Sequence, residues 1–231
     1  MLKENRPIQV GFLLLSILTV LFLSHPALAA VNVGPSLPIT HRVVVQPIVV
    51  KKTNGATADF MGNASSEAYV KDQLNLIWAQ VGVEIKWLDI VEYTNNFAYD
   101  GSPTNYTSNS RPTSHLNTIV AGSGSPPKSS DPKVLNVFFV RIPAGFSQLA
   151  NNYAAGLAFI DRSGSTIYVG SSLLTYNNGR DVVASVIAHE IGHNLGLDHI
   201  FYRAGAISNR DNLMYSQQSA SDPSGTGEIL A

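Results

Sequence analysis

The sequence predicts an α+β fold, and three observations predict it. Two segments, residues 70–81 and 181–195, carry apolar residues at the helical period. Five shorter runs rich in Val, Ile and Phe are bounded by turn-forming residues, as strands are. Beyond Ile200 hydrophobic content is sparse, so the C-terminal part is expected to be irregular. At 231 residues and 45% hydrophobic, the chain can bury the core of one domain. Only 13% of residues are charged, and the net charge is −1. Such a surface has no field to draw in nucleic acid or an anionic membrane, and neither is an expected partner.

The first residues are read as a leader outside the fold. Lys3 and Arg6 precede an uncharged apolar run from Val10 to Leu23, and Ala27-Leu28-Ala29 follows. Basic start, apolar middle and small-residue exit form the layout of a secretory signal peptide, with cleavage expected after Ala29. The run is shorter than the ~20 residues of a spanning helix, so no membrane anchor is expected to survive cleavage. The destination is outside the cytoplasm, in periplasm or medium. There are no cysteines. Disulfides therefore contribute nothing to stability, and metal ligands must be His, Asp, Glu or Tyr.

The remaining elements follow in order. Residues 30–42 form a lead-in with Pro35 and Pro38, and one domain is expected over residues 43–231. Val43–Val45 and Ile48–Val50 flank Pro47, which predicts a first strand at a sheet edge or a bulge. Val70, Leu74, Ile77, Trp78 and Val81 share one helical face, with Ser65 or Ser66 as cap and Gly82 as terminator. Val83, Ile85 and Trp87 alternate with charged residues, predicting a half-buried strand, and both tryptophans are assigned to core packing. Asn95–Lys133 is a long polar stretch with no sustained period, apart from a short helical turn at His115–Val120. Leu135–Ile142 reads as a central strand, and Gly156–Ile160 with Thr166–Val169 as a hairpin. Val183, Val186, Ile187 and Ile191 define the second helix, ended by Gly196. A polar tail is expected from Ser216, and His41 and His115 are read as surface or loop residues.

Residues 189–199 read His-Glu-Ile-Gly-His-Asn-Leu-Gly-Leu-Asp-His. His189 and His193, four apart on a helix, project from one face and can grip one ion. Glu190 is offset by one residue, beside the ion rather than on it. Gly196 permits a sharp turn, after which His199 can swing back as a third ligand. Three neutral imidazoles leave one position of a tetrahedral zinc open, the arrangement of a catalytic site. A structural zinc module would want a fourth protein ligand, and none is evident nearby.

This motif resembles that of the metzincin clan of zinc peptidases, which pairs it with a methionine turn beneath the metal. Asn212-Leu213-Met214-Tyr215 is similar to that turn. Asn75–Val83 is similar to the first helix and its exit in bacterial members, and the element order matches the clan's N-terminal lobe. The likeness spans roughly residues 43–215. Asn194-Leu195-Gly196 resembles the reprolysin-like branch, whereas Leu213-Met214-Tyr215 is closer to the matrixins. Ser216 stands where astacin-like members carry a tyrosine ligand.

The resemblance implies a mixed twisted sheet of about five strands with two main helices in an upper lobe, about residues 43–196. A small irregular lower lobe, about 197–231, completes it. It implies a monomeric, secreted zinc endopeptidase with Glu190 as general base and a protein or peptide as substrate. Met214 is structural, and Tyr215 lines or floors the pocket. Gly156, Leu157 and Ala158 belong to a strand that receives extended substrate through its backbone. One zinc ion is implied; no motif indicates calcium. The rival reading is a secreted zinc-binding protein that keeps the cleft for a partner and no longer cleaves, and Glu190 discriminates between the two.

Overall fold

The computed structural model describes residues 34–100, 125–141, 156–161, 163–168, 174, 179–198, 200–201 and 213–216. The expected leader, the turn expected at 115–120 and the tail expected after Ser216 lie outside them. The described strands are β1 (His41–Lys51), β2 (Val83–Trp87), β3 (Val91–Thr94), β4 (Val134–Val140), β5 (Gly156–Ala158), β6 (Ser165–Tyr168), β7 (Ile200–Phe201) and β8 (Tyr215–Ser216). The helices whose bounds lie among the described residues are α1 (Ala64–Ala79), α2 (Asn96–Asp100) and α3 (Gly179–Asn194).

Six strands form one mixed sheet in the order β2-β1-β4-β6-β5, with β3 also on β1. All pairings within it are parallel except β5 with β6. The expected hairpin is therefore present, and among the described strands it places β5 at the sheet's edge. Every residue of β4 is buried, as a strand covered on both faces requires.

β1 alternates between two cores. Val45 and Val49 point with Leu135, Val137, Phe139 and Ile167 toward one face. There they meet Val70, Leu74, Ile77 and Trp78 of α1 and Val183, Ile187 and Ile191 of α3. Ile48 and Val50 join Tyr93, Ala98, Tyr99, Phe138, Val140 and Phe159 on the other face. The two long helices thus share one side of the sheet, and α2 takes part in closing the other. Tyr69 of α1 ties them further: its hydroxyl donates to Asp181 Oδ1 at 2.6 Å, and the Arg180 guanidinium lies 4.3 Å over its ring. No helix among the described residues is long and apolar enough to cross a membrane.

Several expectations are corrected. β1 begins at His41, and Pro47 lies inside the sheet rather than at its edge. The reason is a break in the neighbouring edge. β2 pairs with residues 41–45 and β3 with residues 48–51, leaving residues 46 and 47 without a strand partner on that side. Val45 accepts from Leu88 N–H, so by alternation the N–H that Pro47 lacks would point into this gap. Gln46 Nε2 fills it, donating to Pro47 O at 3.2 Å and Asp89 O at 2.6 Å.

β3 and α2 occupy chain that carries no clear period in the sequence. The α1 cap is Asn63, whose Oδ1 accepts from Ser66 N–H at 3.0 Å, and not Ser65 or Ser66. Val81 lies beyond the helix end and is 60% exposed, because the chain has already begun to reverse. That reversal uses Gly82 at φ +71°, where an added Cβ would sit 2.8 Å from Pro38 O. The lead-in is fastened here as well, with Leu37 N–H donating to Ala79 O and Thr40 N–H to Gly82 O, both at 2.8 Å. Gly82→Ala is expected to cost at least about 1–2 kcal/mol from the left-handed backbone alone, read as a lowered urea midpoint at unchanged slope.

Candidate metal centre

α3 is both a core element and the carrier of the histidine motif. Val183, Ala184, Ile187, Ala188 and Ile191 are buried against the sheet and α1. This fixes the rotation of the helix, and the residues between them are thereby assigned to the opposite side. His189 and His193 stand there with ring centroids 4.7 Å apart and planes at 89°.

Each ring is oriented by a backbone carbonyl. His189 Nδ1 lies 2.7 Å from Leu213 O, and His193 Nδ1 lies 2.8 Å from Leu197 O. A carbonyl can only accept, so each Nδ1 carries the proton and the lone pair of the neutral ring is on Nε2. The acceptor for His193 is produced by the helix ending itself. Gly196 at φ +92° lets its N–H reach His193 O at 2.9 Å and Leu197 N–H reach Gly192 O at 3.0 Å. This is a Schellman ending, and it folds the Leu197 carbonyl back onto the imidazole.

Met214 is 3% exposed and lies under the motif. A Cβ at Gly192 would stand 2.6 Å from its Sδ, so the close approach requires a glycine in the last turn of the helix. The pairing of β7 with β8 brings the chain after the motif alongside the chain after Met214. Tyr215 belongs to β8, but its side chain lies outside the described residues, as does that of Leu157 in β5. His199 also lies outside them, between Asp198 and the first residue of β7. Among the described residues no three possible ligands form a metal-holding group.

Glu190 is 5% exposed, and its Oε2 has no hydrogen-bond partner. Burial pushes its carboxyl up to about 8 from an ordinary 4.5. Gly156 backs directly onto it: an added Cβ would be 2.7 Å from its Cδ. The structure therefore brings His189, Glu190, His193, Met214 and Gly156 together. Two neutral imidazoles on one helical face, each held through Nδ1, fit a zinc ion, and the partnerless buried oxygen of Glu190 fits a neighbouring cation or polar reactant.

Sequence reasoning assigned no role to the carbonyls of Leu197 and Leu213, because any residue offers a carbonyl. It also passed over Gly192 within the motif, though glycine inside a helix is a visible signal of close approach.

Because its folded pKa is raised, Glu190 favours the fold of the zinc-stripped protein while neutral. That contribution is complete below about pH 4.5 and is lost as pH rises through about 8. Chelated protein is expected to lose stability across this window relative to Glu190→Gln, measured by urea unfolding at successive pH values. A constant difference between the two would contradict the burial of a neutral carboxyl.

The profile of the family described as metallo-peptidase family M12B, reprolysin-like, matches residues 63–200. The structure is similar to the archaemetzincin of Archaeoglobus fulgidus, at 17% identity over 81% of this chain and 92% of that one, with a TM-score of 0.39. It is similar to the archaemetzincin of Methanopyrus kandleri at 15% identity over 81% and 87%, with a TM-score of 0.45. Metalloproteinase-II of Bacteroides fragilis matches at 18% identity over 79% of this chain and 51% of that one, with a TM-score of 0.36. The profile spans α1 through the first residue of β7 and includes the whole histidine motif, and on that ground the chain belongs to the reprolysin-like M12B metallopeptidases, zinc peptidases of the metzincin clan.

Proposed function

We propose that this protein is a secreted zinc endopeptidase in which His189, His193 and His199 hold the metal and Glu190 is the general base. The observation that carries the reading is the buried, partnerless carboxylate oxygen of Glu190, one residue from a histidine and against the edge strand. A protein that only bound a partner through zinc would gain nothing from burying that group, since an uncompensated carboxyl costs stability.

Zinc bound there supplies Lewis acidity, lowering the pKa of water and polarising a peptide carbonyl. Glu190 accepts a proton as water attacks that carbonyl and later delivers it to the departing amine. Its carboxyl, buried beside His189 and against Gly156, is held at the place assigned to both transfers. The carbonyls of Leu213 and Leu197 hold the imidazoles in the tautomer that leaves Nε2 for the metal.

Extended substrate is assigned to β5, where Gly156, Leu157 and Ala158 form the sheet edge beside Glu190. Recognition through backbone groups along a strand needs no chain terminus, which favours internal cleavage. Tyr215, immediately after Met214, is assigned to the floor of the substrate pocket. Residues 43–196 would then form the upper lobe and 197–231 the lower, with a protein or peptide between them. Export rests on the signal-peptide layout of residues 1–29, and the mature chain is assigned as a monomer.

Glu190→Ala is expected to retain one zinc per chain and to lose peptide hydrolysis by at least about 100-fold. Metal analysis beside cleavage of an internally quenched peptide checks this, and full activity in the variant would end the general-base assignment. Zinc should dissociate as pH falls below the ~6.5 reference value of histidine, since protonated imidazole cannot ligate. Retention unchanged well below that pH would argue against a three-histidine site.

A further inference from the structure

The C-terminal end of α3 holds a second contact, distinct from its histidines. Asn194, the last residue of the helix, is 5% exposed. Its Nδ2 donates to Phe159 O at 2.9 Å and to Gly164 O at 3.3 Å. These two carbonyls flank the turn between β5 and β6, and Phe159 N–H itself donates to Gly164 O at 3.3 Å. A further tie lies inside the turn, where Asp161 N–H donates to His193 O at 2.9 Å. Asp161 takes φ +56°, a left-handed conformation that non-glycine residues seldom adopt. The hairpin thus touches α3 at two levels one helical turn apart, with Gly156 against Glu190 and the turn against residues 193 and 194.

We infer that Asn194 is a positioning residue, whose amide clasps the β5–β6 turn to the end of α3 and so sets edge strand β5 relative to Glu190. The chemistry suits an amide. Its NH₂ has two hydrogens for two carbonyl acceptors, whereas a carboxylate would meet the same oxygens with repulsion and an alanine with nothing. The effect on substrate rests on the proposed role of β5. The clasp itself is read without catalysis.

The test compares the zinc-loaded chain with Asn194→Asp, which keeps the shape and loses both donors, and with Asn194→Ala, which introduces no charge. Native-state hydrogen exchange is followed at Phe159 and Asp161, with Val137 and Phe139 of β4 as internal standards. Exchange at the two turn amides is expected to rise by about tenfold or more in either variant, as loss of buried hydrogen bonds implies. The β4 amides should be unchanged and zinc stoichiometry kept, since His193 retains the Leu197 carbonyl. KM for an extended quenched peptide should rise by about tenfold while kcat stays within about twofold, as loss of strand binding shared by the ground and transition states implies.

Equal acceleration in β4 and the turn would reduce Asn194 to general stability and overturn the inference. So would unchanged exchange at the turn, or a loosened turn with unaltered KM. If the wild-type chain cleaves no peptide, the peptidase reading fails, and the exchange measurement still decides the clasp.

Discussion

Placing an ionisable carboxyl inside a protein is costly unless something in its surroundings compensates it. Glu190 imposes that constraint on the rest of this structure. Its helix must be held rigidly by the core on one side, which Val183, Ile187 and Ile191 accomplish against the sheet and α1. Its other side must admit the reactants without admitting bulk water. Gly156 meets the second demand by bringing backbone, rather than a side chain, against the carboxyl. The absence of a Cβ at that one position lets the sheet edge and the proposed base share the same small volume.

The histidines obey a related logic, with direction rather than burial as the controlled quantity. Imidazole has two nitrogens, and a useful ligand must present the intended one. Here the choice is made by main-chain carbonyls contributed by two turns, one ending α3 and one preceding Met214. Backbone acceptors are insensitive to side-chain substitution in the turns themselves, so orientation survives sequence drift as long as the turn geometry does. Gly196 and Gly192 are where that geometry is vulnerable, the first through its positive φ and the second through its contact with Met214.

How much of this was legible follows from which features side chains encode. The spacing His189, Glu190, His193 is a statement about one helical face, and the structure puts the two rings side by side there. The apolar periods of α1 and α3 are equally local: Val70, Leu74, Ile77 and Trp78 of α1 and Val183, Ile187 and Ile191 of α3 are buried as the period selects, whereas Val186 is only half-buried. What escaped was set by partners distant in sequence. Pro47 reads as an edge residue until the offset between β2 and β3 is known. Val81 continues the apolar face of α1 on paper, but Gly82 turns the chain before that face is completed. β3 and α2 are too short for a period to develop, and they exist because β1 and the second core accept them. Of the candidate ligands, His199 lies outside the described residues, and its assignment is a proposal read from the motif.

The interruption beside Pro47 gives the sheet two unlike borders. On one flank, β2 and β3 are five and four residues long, displaced along β1 and separated by the Gln46 side chain. A border cut into short, staggered pieces cannot template a long incoming strand, which protects a cysteine-free chain from self-association through that flank. On the other flank β5 is outermost among the described strands, and it is the strand that leans on Glu190. An extended polypeptide meeting this sheet therefore encounters one border that is poorly suited to pair with it and one that leads to the buried carboxyl. The same strand arrangement that discourages aggregation on one flank leaves the proposed substrate strand as the described border of the other.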